Sequence, residues 1–268
     1  MRNFLKVALF LISCVSFPAY ALRIIALAPH LTEMIYAVGA GNDLVGVSEY
    51  SDFPPQAKTL PVVSHLEKTN LEQILALKPD LLLAWKEGAA DPNINALSTL
   101  GIRVVSISTK TVLDIPSNLI QIGVLSGHRQ EGRQASEIFL RQYQHLKTEF
   151  PQSTRTQSVF LELFDSPLYT PGQASFLIPI LSLCGGRSLF PSLRGEASPV
   201  SLESVIAGNP EVILVLKPSK ASVWQAWPSI KAVKNHRVYE MNPDILARPG
   251  PRIVEGIRQV CERLKVFA

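Results

Sequence analysis

One stretch of the chain occurs twice. Residues 70–83 and 201–214 align without a gap, and Leu71/Leu202, Glu72/Glu203, Ala76/Ala207, Pro79/Pro210 and Leu83/Leu214 are identical pairs. In each copy an Asn or Ser able to cap a helix comes first, a Pro marks the helix end, and an apolar run follows that reads as a buried strand. A helix-strand unit repeated in two parts of one chain implies two similarly built lobes.

Apolar runs elsewhere fit the same plan. Residues 23–28, 44–47, 81–84 and 104–107 read as strands in the first part, and 158–163, 212–216 and 237–239 in the second. Continuous Leu, Ile and Val with helical stretches between them indicate parallel sheets covered on both faces. Residues 131–150 place Ala135, Ile138, Phe139, Gln142, Leu146 and Phe150 near one face of a single long helix. Pro249 and Pro251 open a closing helix over residues 253–264. The expected fold is α/β, two Rossmann-like lobes joined by one long helix, with a ligand cleft between the lobes. The expected divisions are an N-terminal lobe over 22–125, a connecting helix over 126–150 and a C-terminal lobe over 151–268.

Residues 1–21 read differently. Arg2 and Lys6 precede or flank an apolar stretch over 7–15, and Ala19-Tyr20-Ala21 supplies an A-x-A cleavage site, so this segment is expected to be a secretory signal peptide. Leu11-Ile12-Ser13-Cys14 also fits a lipoprotein signal, in which Cys14 would be lipidated and retained. Removal of residues 1–21 leaves 24 Lys+Arg against 22 Asp+Glu. That balance excludes a nucleic-acid partner held by charge. The cysteines that remain are Cys184 and Cys261, far apart in sequence. In an oxidising compartment they are either a disulfide or two buried thiols, and they lack metal-ligand spacing.

In open α/β sheets ligands sit beyond the carboxyl ends of the strands. Pro29 and His30 follow the first expected strand, Tyr50 the second and Trp85 the third; Tyr169 lies in an expected turn over 166–172, and Asp244 in the loop after residue 239. Aromatic rings at strand ends suit a large, partly apolar ligand, although each alone could cap its own sheet edge. Asp244 either accepts hydrogen bonds from ligand amides or hydroxyls, or makes a local turn with Asn242 and Pro243. Glu72 and Glu203 hold equivalent places in the first turns of their helices, where a carboxylate favours the helix dipole. One per lobe, they could also key onto basic pockets of a pseudo-symmetric membrane partner.

Catalytic signatures are missing: the sequence has no HExxH, no GxSxG, no Gly-rich phosphate loop and no CxxC. His30, His65, His128, His145 and His236 are scattered, and only His30 and His65 fall near a prospective cleft. Glu162 and Asp165 form a conceivable carboxylate pair, but strand periodicity sets Asp165 beyond the strand end. A binding protein is therefore expected and not an enzyme. An exported α/β hydrolase is the rival of another class.

The segments RIIALAP (23–29), VGVSEYSDFPPQA (45–57), NLE (70–72), ALKPDL (76–81), AW (84–85), CGG (184–186) and PRI (251–253) together resemble the periplasmic cobalamin-binding proteins of ABC importers. The resemblance covers nearly the whole chain after residue 21. It implies a rigid connecting helix, little domain closure, a ligand in the cleft and a bridge between Cys184 and Cys261. It also implies that Tyr50 and Trp85 are ligand-contacting aromatics, that Tyr169 stands where a Phe is found, and that Asp244, Ile245, Leu246, Ala247 and Arg248 form the loop that meets the corrin side chains. Glu72 and Glu203 match carboxylates that dock on transporter arginines. Cobalamin or a related corrinoid is then the transported cargo of a monomeric periplasmic protein, without a resident cofactor or metal. Its partners are an inner-membrane ABC permease and its ATPase. Two positions depart from the pattern: Leu66 and Ala197 stand where the best-known members have Trp, which thins the aromatic cage. Haem or a ferric siderophore is the alternative cargo, with His30, Tyr50 or His65 able to supply an iron ligand.

Overall fold

The computed structural model describes residues 22–65, 68–88, 92–151 and 155–265. The expected signal segment, Cys14 and Leu66 lie outside the described residues.

In the first lobe the chain runs β1 (Ile24–Ala26), α1 (Pro29–Ala37), β2 (Leu44–Ser48), β3 (Val62–His65), β4 (Lys68–Thr69), α2 (Leu71–Leu77), β5 (Leu81–Trp85), α3 (Pro92–Thr99), β6 (Arg103–Ile107) and α4 (Asp114–Leu125). The long helix α5 (Arg129–Glu149) follows. The second lobe continues with β7 (Gln157–Glu162), β8 (Phe164–Asp165), β9 (Leu168–Pro171), α6 (Leu177–Leu183), β10 (Gly186–Ser188), β11 (Ala197–Pro199), α7 (Leu202–Gly208), β12 (Val212–Leu216), α8 (Lys231–Lys234), β13 (Val238–Met241), α9 (Pro243–Leu246) and α10 (Ile253–Leu264). Among the described residues the strands form a six-stranded sheet ordered β4-β3-β2-β1-β5-β6, a four-stranded sheet ordered β10-β7-β12-β13 and a small sheet ordered β11-β9-β8. The first two are parallel except for β4, and the third is antiparallel.

The alternation of side chains along each strand explains the layering. Ile24, Ala26, Leu81 and Leu83 face a central core while Ile25, Leu82 and Ala84 face an outer one. In the second lobe Val159, Leu161, Val212 and Leu214 join that same central core, and Phe160, Ile213 and Val215 face outward onto a third. Period-two alternation with both faces apolar is what a sheet covered on both sides demands. The central core is completed by α1, α4, α5, α6 and α10, through residues such as Met34, Leu119, Phe139, Ile180 and Ile257. The inner faces of both sheets thus belong to one hydrophobic interior.

The duplication is preserved down to the caps. Asn70 accepts a hydrogen bond from the Gln73 N–H at 3.1 Å, and Ser201 one from the Ser204 N–H at 3.2 Å. Both helices then end on a left-handed residue, Lys78 at φ 46° and Asn209 at φ 45°, before the shared proline. Ile74 and Val205 are the buried residues of the two helices, and Glu72 and Glu203 are exposed.

Helix α5 departs from the expected face. Its buried residues are Gly132, Ser136, Phe139 and Leu146, whereas Ile138 and Gln142 point to solvent. The cause is its contact with α4: a Cβ on Gly132 would lie 2.8 Å from the Leu119 carbonyl oxygen, and one on Gly123 would lie 2.8 Å from the Gly132 Cα. That glycine-to-glycine approach sets the rotation of the helix, and the bulky Ile138 turns outward as a result.

Cys184, at the end of α6, is bridged to Cys261 on α10 across a separation of 77 residues. Replacing both by Ser should lower the unfolding free energy by roughly 4 kcal/mol, through the freedom returned to the unfolded chain. Urea titration of the double variant measures this directly, and a midpoint equal to that of the parent would contradict it.

Candidate functional site

The order of the first sheet reverses at β1. From β1 the chain moves outward through β2 to β4, then returns to place β5 on the other side. The crevice between the carboxyl ends of β1 and β5 is therefore the topological switch point, where ligands of such sheets bind. His30, just past β1, and Trp85, the last residue of β5, meet there edge to face with ring centroids 5.1 Å apart. His30 is 2% exposed. Burial lowers its pKa to about 3, opposed by Glu87 and assisted by Arg248. The ring is thus neutral at physiological pH. Among the described residues, His30 Nε2 and Trp85 Nε1 are the buried side-chain polar atoms with no hydrogen-bond partner. Leaving such a group unsatisfied costs about 1–3 kcal/mol, which singles the switch point out from the rest of the interior.

Two further groups extend this wall. Tyr50 follows β2 with its backbone in the left-handed region, at φ 63°, and its side chain is 59% exposed. A chain of hydroxyls pins the turn that throws the ring outward: Ser51 Oγ lies 3.1 Å from both Ser48 Oγ and Thr32 Oγ1. Glu87, two residues past Trp85, accepts hydrogen bonds from the Ser108 hydroxyl and, at 3.0 Å, from the Thr109 N–H. Burial pushes its carboxyl up, but these bonds outweigh that effect and hold it below the usual range.

The opposing wall comes from the second lobe. Tyr169 lies on β9, opposite Pro199 of β11 and Phe164 of β8, and its ring stands nearly perpendicular to that of Phe164 at 6.3 Å. Glu196 immediately precedes β11; burial raises its pKa, and the charge of Glu87 on the first lobe raises it further. On α9, Asp244 accepts a hydrogen bond from Arg248 Nη2 at 2.6 Å, and Arg248 Nη1 reaches across the lobes to Asp52 Oδ1, also at 2.6 Å. Asp52 is two residues beyond Tyr50, so the Tyr50 turn and the 244–248 segment are in direct contact.

Several expected residues sit otherwise than the sequence suggested. Tyr169 belongs to a strand and not to a turn, because residues 168–169 pair with β8 and residues 169–171 with β11. Asp244 lies in a one-turn helix and not in a loop: β13 runs on to Met241, and Asn242 caps α9 by accepting from the Asp244 N–H at 2.9 Å. Ile245 and Leu246 are buried in the second lobe, where they anchor the segment, whereas Ala247 is exposed and Asp244 and Arg248 are half-buried. Ala197 is exposed on β11, and His65 is exposed with Nδ1 3.5 Å from Glu49. Glu162 is buried at the carboxyl end of β7, where it accepts a hydrogen bond from Trp224 Nε1 at 2.6 Å. Burial raises its carboxyl above the usual range, against the hydrogen bonds from Trp224 and Ser219. Glu162 is thus a packing group in the second lobe. The sequence reading did not single out Glu33, Phe53, Glu87, Phe164, Glu196 or Arg252. Glu87 lies just past the end of β5, Glu33 on α1, Phe164 on β8, Glu196 just before β11 and Arg252 at the start of α10, and what unites them, Phe164 apart, is contact between segments distant in sequence.

Comparison with known proteins follows the same outline. A family model described as periplasmic binding protein matches residues 24–245. The vitamin B12-binding protein of Vibrio cholerae serotype O1 is 38% identical over 252 residues, covering 93% of this chain and 91% of that protein. The crystal structure of the periplasmic vitamin B12 binding protein BtuF of Vibrio cholerae superposes with a TM-score of 0.85 at 38% identity, over 90% of this chain and 96% of that one. A periplasmic heme-binding protein, RhuT from Roseiflexus, superposes with a TM-score of 0.83 over 91% of this chain and 98% of that one. At 19% identity it shares the fold alone.

His30 links the site to stability. Its folded pKa of about 3 lies below its ordinary value of 6.5. The unfolded chain therefore binds more protons between those values, and stability is lost as pH falls below 6.5. Relative to a His30→Gln variant, the parent should lose about 2 kcal/mol between pH 7 and pH 5. Chemical denaturation at both pH values checks this, and parallel losses in the two proteins would contradict the buried neutral ring.

Proposed function

The chain belongs to the periplasmic binding protein family, and we propose that within it this protein captures cobalamin or a related corrinoid in the periplasm and delivers it to an ABC importer. The observation that carries this reading is the Asp52–Arg248–Asp244 bridge, which joins the Tyr50 turn of one lobe to the 244–248 segment of the other. It brings exposed rings and polar groups of both lobes to one cleft beside the first sheet's switch point. A corrin offers the matching chemistry, a broad apolar macrocycle rimmed by amide side chains. Tyr50, Trp85 and Tyr169 present aromatic surface to the macrocycle, and Asp244, Ala247 and Arg248 face its rim, held by the buried Ile245 and Leu246. The 38% identity to a vitamin B12-binding protein supports the same cargo. Relatives of this kind are binding proteins, which supports capture rather than turnover.

Calorimetry with cyanocobalamin at micromolar concentration should give heat at one site per chain. Trp85→Ala should weaken binding about tenfold or more, given the area a buried indole contributes. Absence of heat, with haem binding instead through Tyr50 or His65, would replace the corrinoid reading by the iron one.

For delivery, Glu72 on α2 and Glu203 on α7 are the docking groups. They are exposed, they occupy equivalent positions in the duplicated unit, and each sits in the first turn of its helix. Hydrogen bonds from its own backbone and from Ser201 hold the Glu203 carboxyl below the usual range, so it is charged at the pH of use. The partner surface would be a permease with a basic group for each lobe and an ATPase behind it. The combined substitution Glu72→Arg and Glu203→Arg should leave cyanocobalamin binding intact and abolish uptake by whole cells. Uptake equal to that of the parent would leave the two carboxylates a role at the helix termini alone.

A further inference from the structure

Glu33 lies on α1 of the first lobe, among Leu31, Met34 and Ile35, and is 4% exposed. Its partners come from the far end of the chain. Arg252 donates to it twice, from Nε at 3.0 Å and from Nη2 at 2.6 Å, and Arg248 Nη1 lies 3.5 Å from Oε1. The same two arginines hold the rest of the cleft rim, Arg248 through Asp52 and Asp244, and Arg252 with its guanidinium 3.9 Å over the centre of the Phe53 ring. Between them Gly250 packs so closely that a Cβ would lie 3.3 Å from the His30 Cβ and 3.4 Å from Glu33 Oε2. Three carboxylates and two guanidinium groups from both lobes are thus locked around one buried oxygen pair.

A buried ion pair of this kind adds little net stability, because taking the charges out of water consumes most of their attraction. What it supplies is register: a planar guanidinium meets a carboxylate in one orientation and at one distance. Removing Glu33 would leave Arg252 without its fork partner and release the segment that carries Arg248 and Asp244. We propose that Glu33 is a positioning residue for ligand capture, which holds residues 244–252 of the second lobe against the first and so fixes the width of the cleft. Arg252 is the other half of this clamp. The inference rests on the corrinoid reading only for its binding readout.

The test places spin labels at Ala76→Cys and Ala207→Cys, exposed positions equivalent in the duplicated unit, and measures the distance between the lobes by pulsed electron paramagnetic resonance. Glu33→Gln should broaden a distribution that is narrow in the parent, speed release of cyanocobalamin, and weaken its binding about tenfold. Arg252→Lys, which keeps the charge and loses the fork, should do the same to a smaller degree, and it carries the test if Glu33→Gln does not fold. A variant with a lowered melting temperature but an unaltered distance distribution and release rate would overturn the clamp and leave Glu33 a merely stabilising residue. If the parent protein itself binds no cyanocobalamin, the corrinoid reading fails while the distance measurement still decides the role of Glu33.

Discussion

The inner faces of the two parallel sheets pack against the same helices, and the rest of the molecule depends on that shared interior. Leu83 and Leu214 occupy the same place in the duplicated unit, one per lobe, and both belong to the core that contains Phe139 of α5 and Ile257 of α10. Each such side chain contributes about 1.5–3 kcal/mol by leaving water. A hinge motion large enough to close the lobes would expose some of them. The same core that holds the lobes together thus also holds the cleft between them. The disulfide between α6 and α10 and the Gly123–Gly132 contact between α4 and α5 stiffen the same central layer.

On this frame the lobes are alike in build and unlike in use. The first lobe brings Trp85 and the buried His30 together at its switch point, with Trp85 Nε1 and His30 Nε2 unpartnered. In the second sheet the reversal falls between β7 and β12, and there Glu162 and Trp224 bond to each other and close the crevice with their own side chains. The second lobe reaches the cleft by other means, a small antiparallel sheet bearing Tyr169 and the segment after β13 bearing Asp244 and Arg248. One duplicated scaffold thus yields an asymmetric pair of walls.

Local physics decided which features were legible in the sequence. The duplicated unit could be read down to its caps because capping, chain reversal and strand burial all act within about a dozen residues. Trp85 and Tyr50 could be placed because both follow apolar runs that leave no doubt about where a strand ends. The face of α5 could not, since a contact between two glycines on different helices overrode the pattern of its larger residues. Tyr169 reads as a turn residue because its strand is short, contains Pro171 and is recognisable only by its two partners. Asp244 reads as a loop residue although a one-turn helix carries it, too short to show a period. Glu33 shows the limit most clearly. A carboxylate flanked by Leu31, Met34 and Ile35 signals that some partner exists, but the arginine that pairs with it lies 219 residues away.

The most direct measurement is a crystal structure of the protein grown with cyanocobalamin. The account predicts the corrin ring between Tyr50 and Trp85 on one side and Tyr169 and Asp244 on the other, with both sheets related as in the unliganded fold and Arg252 still seated on Glu33. A corrin bound elsewhere on the surface, or lobes swung together around it with that ion pair broken, would contradict it.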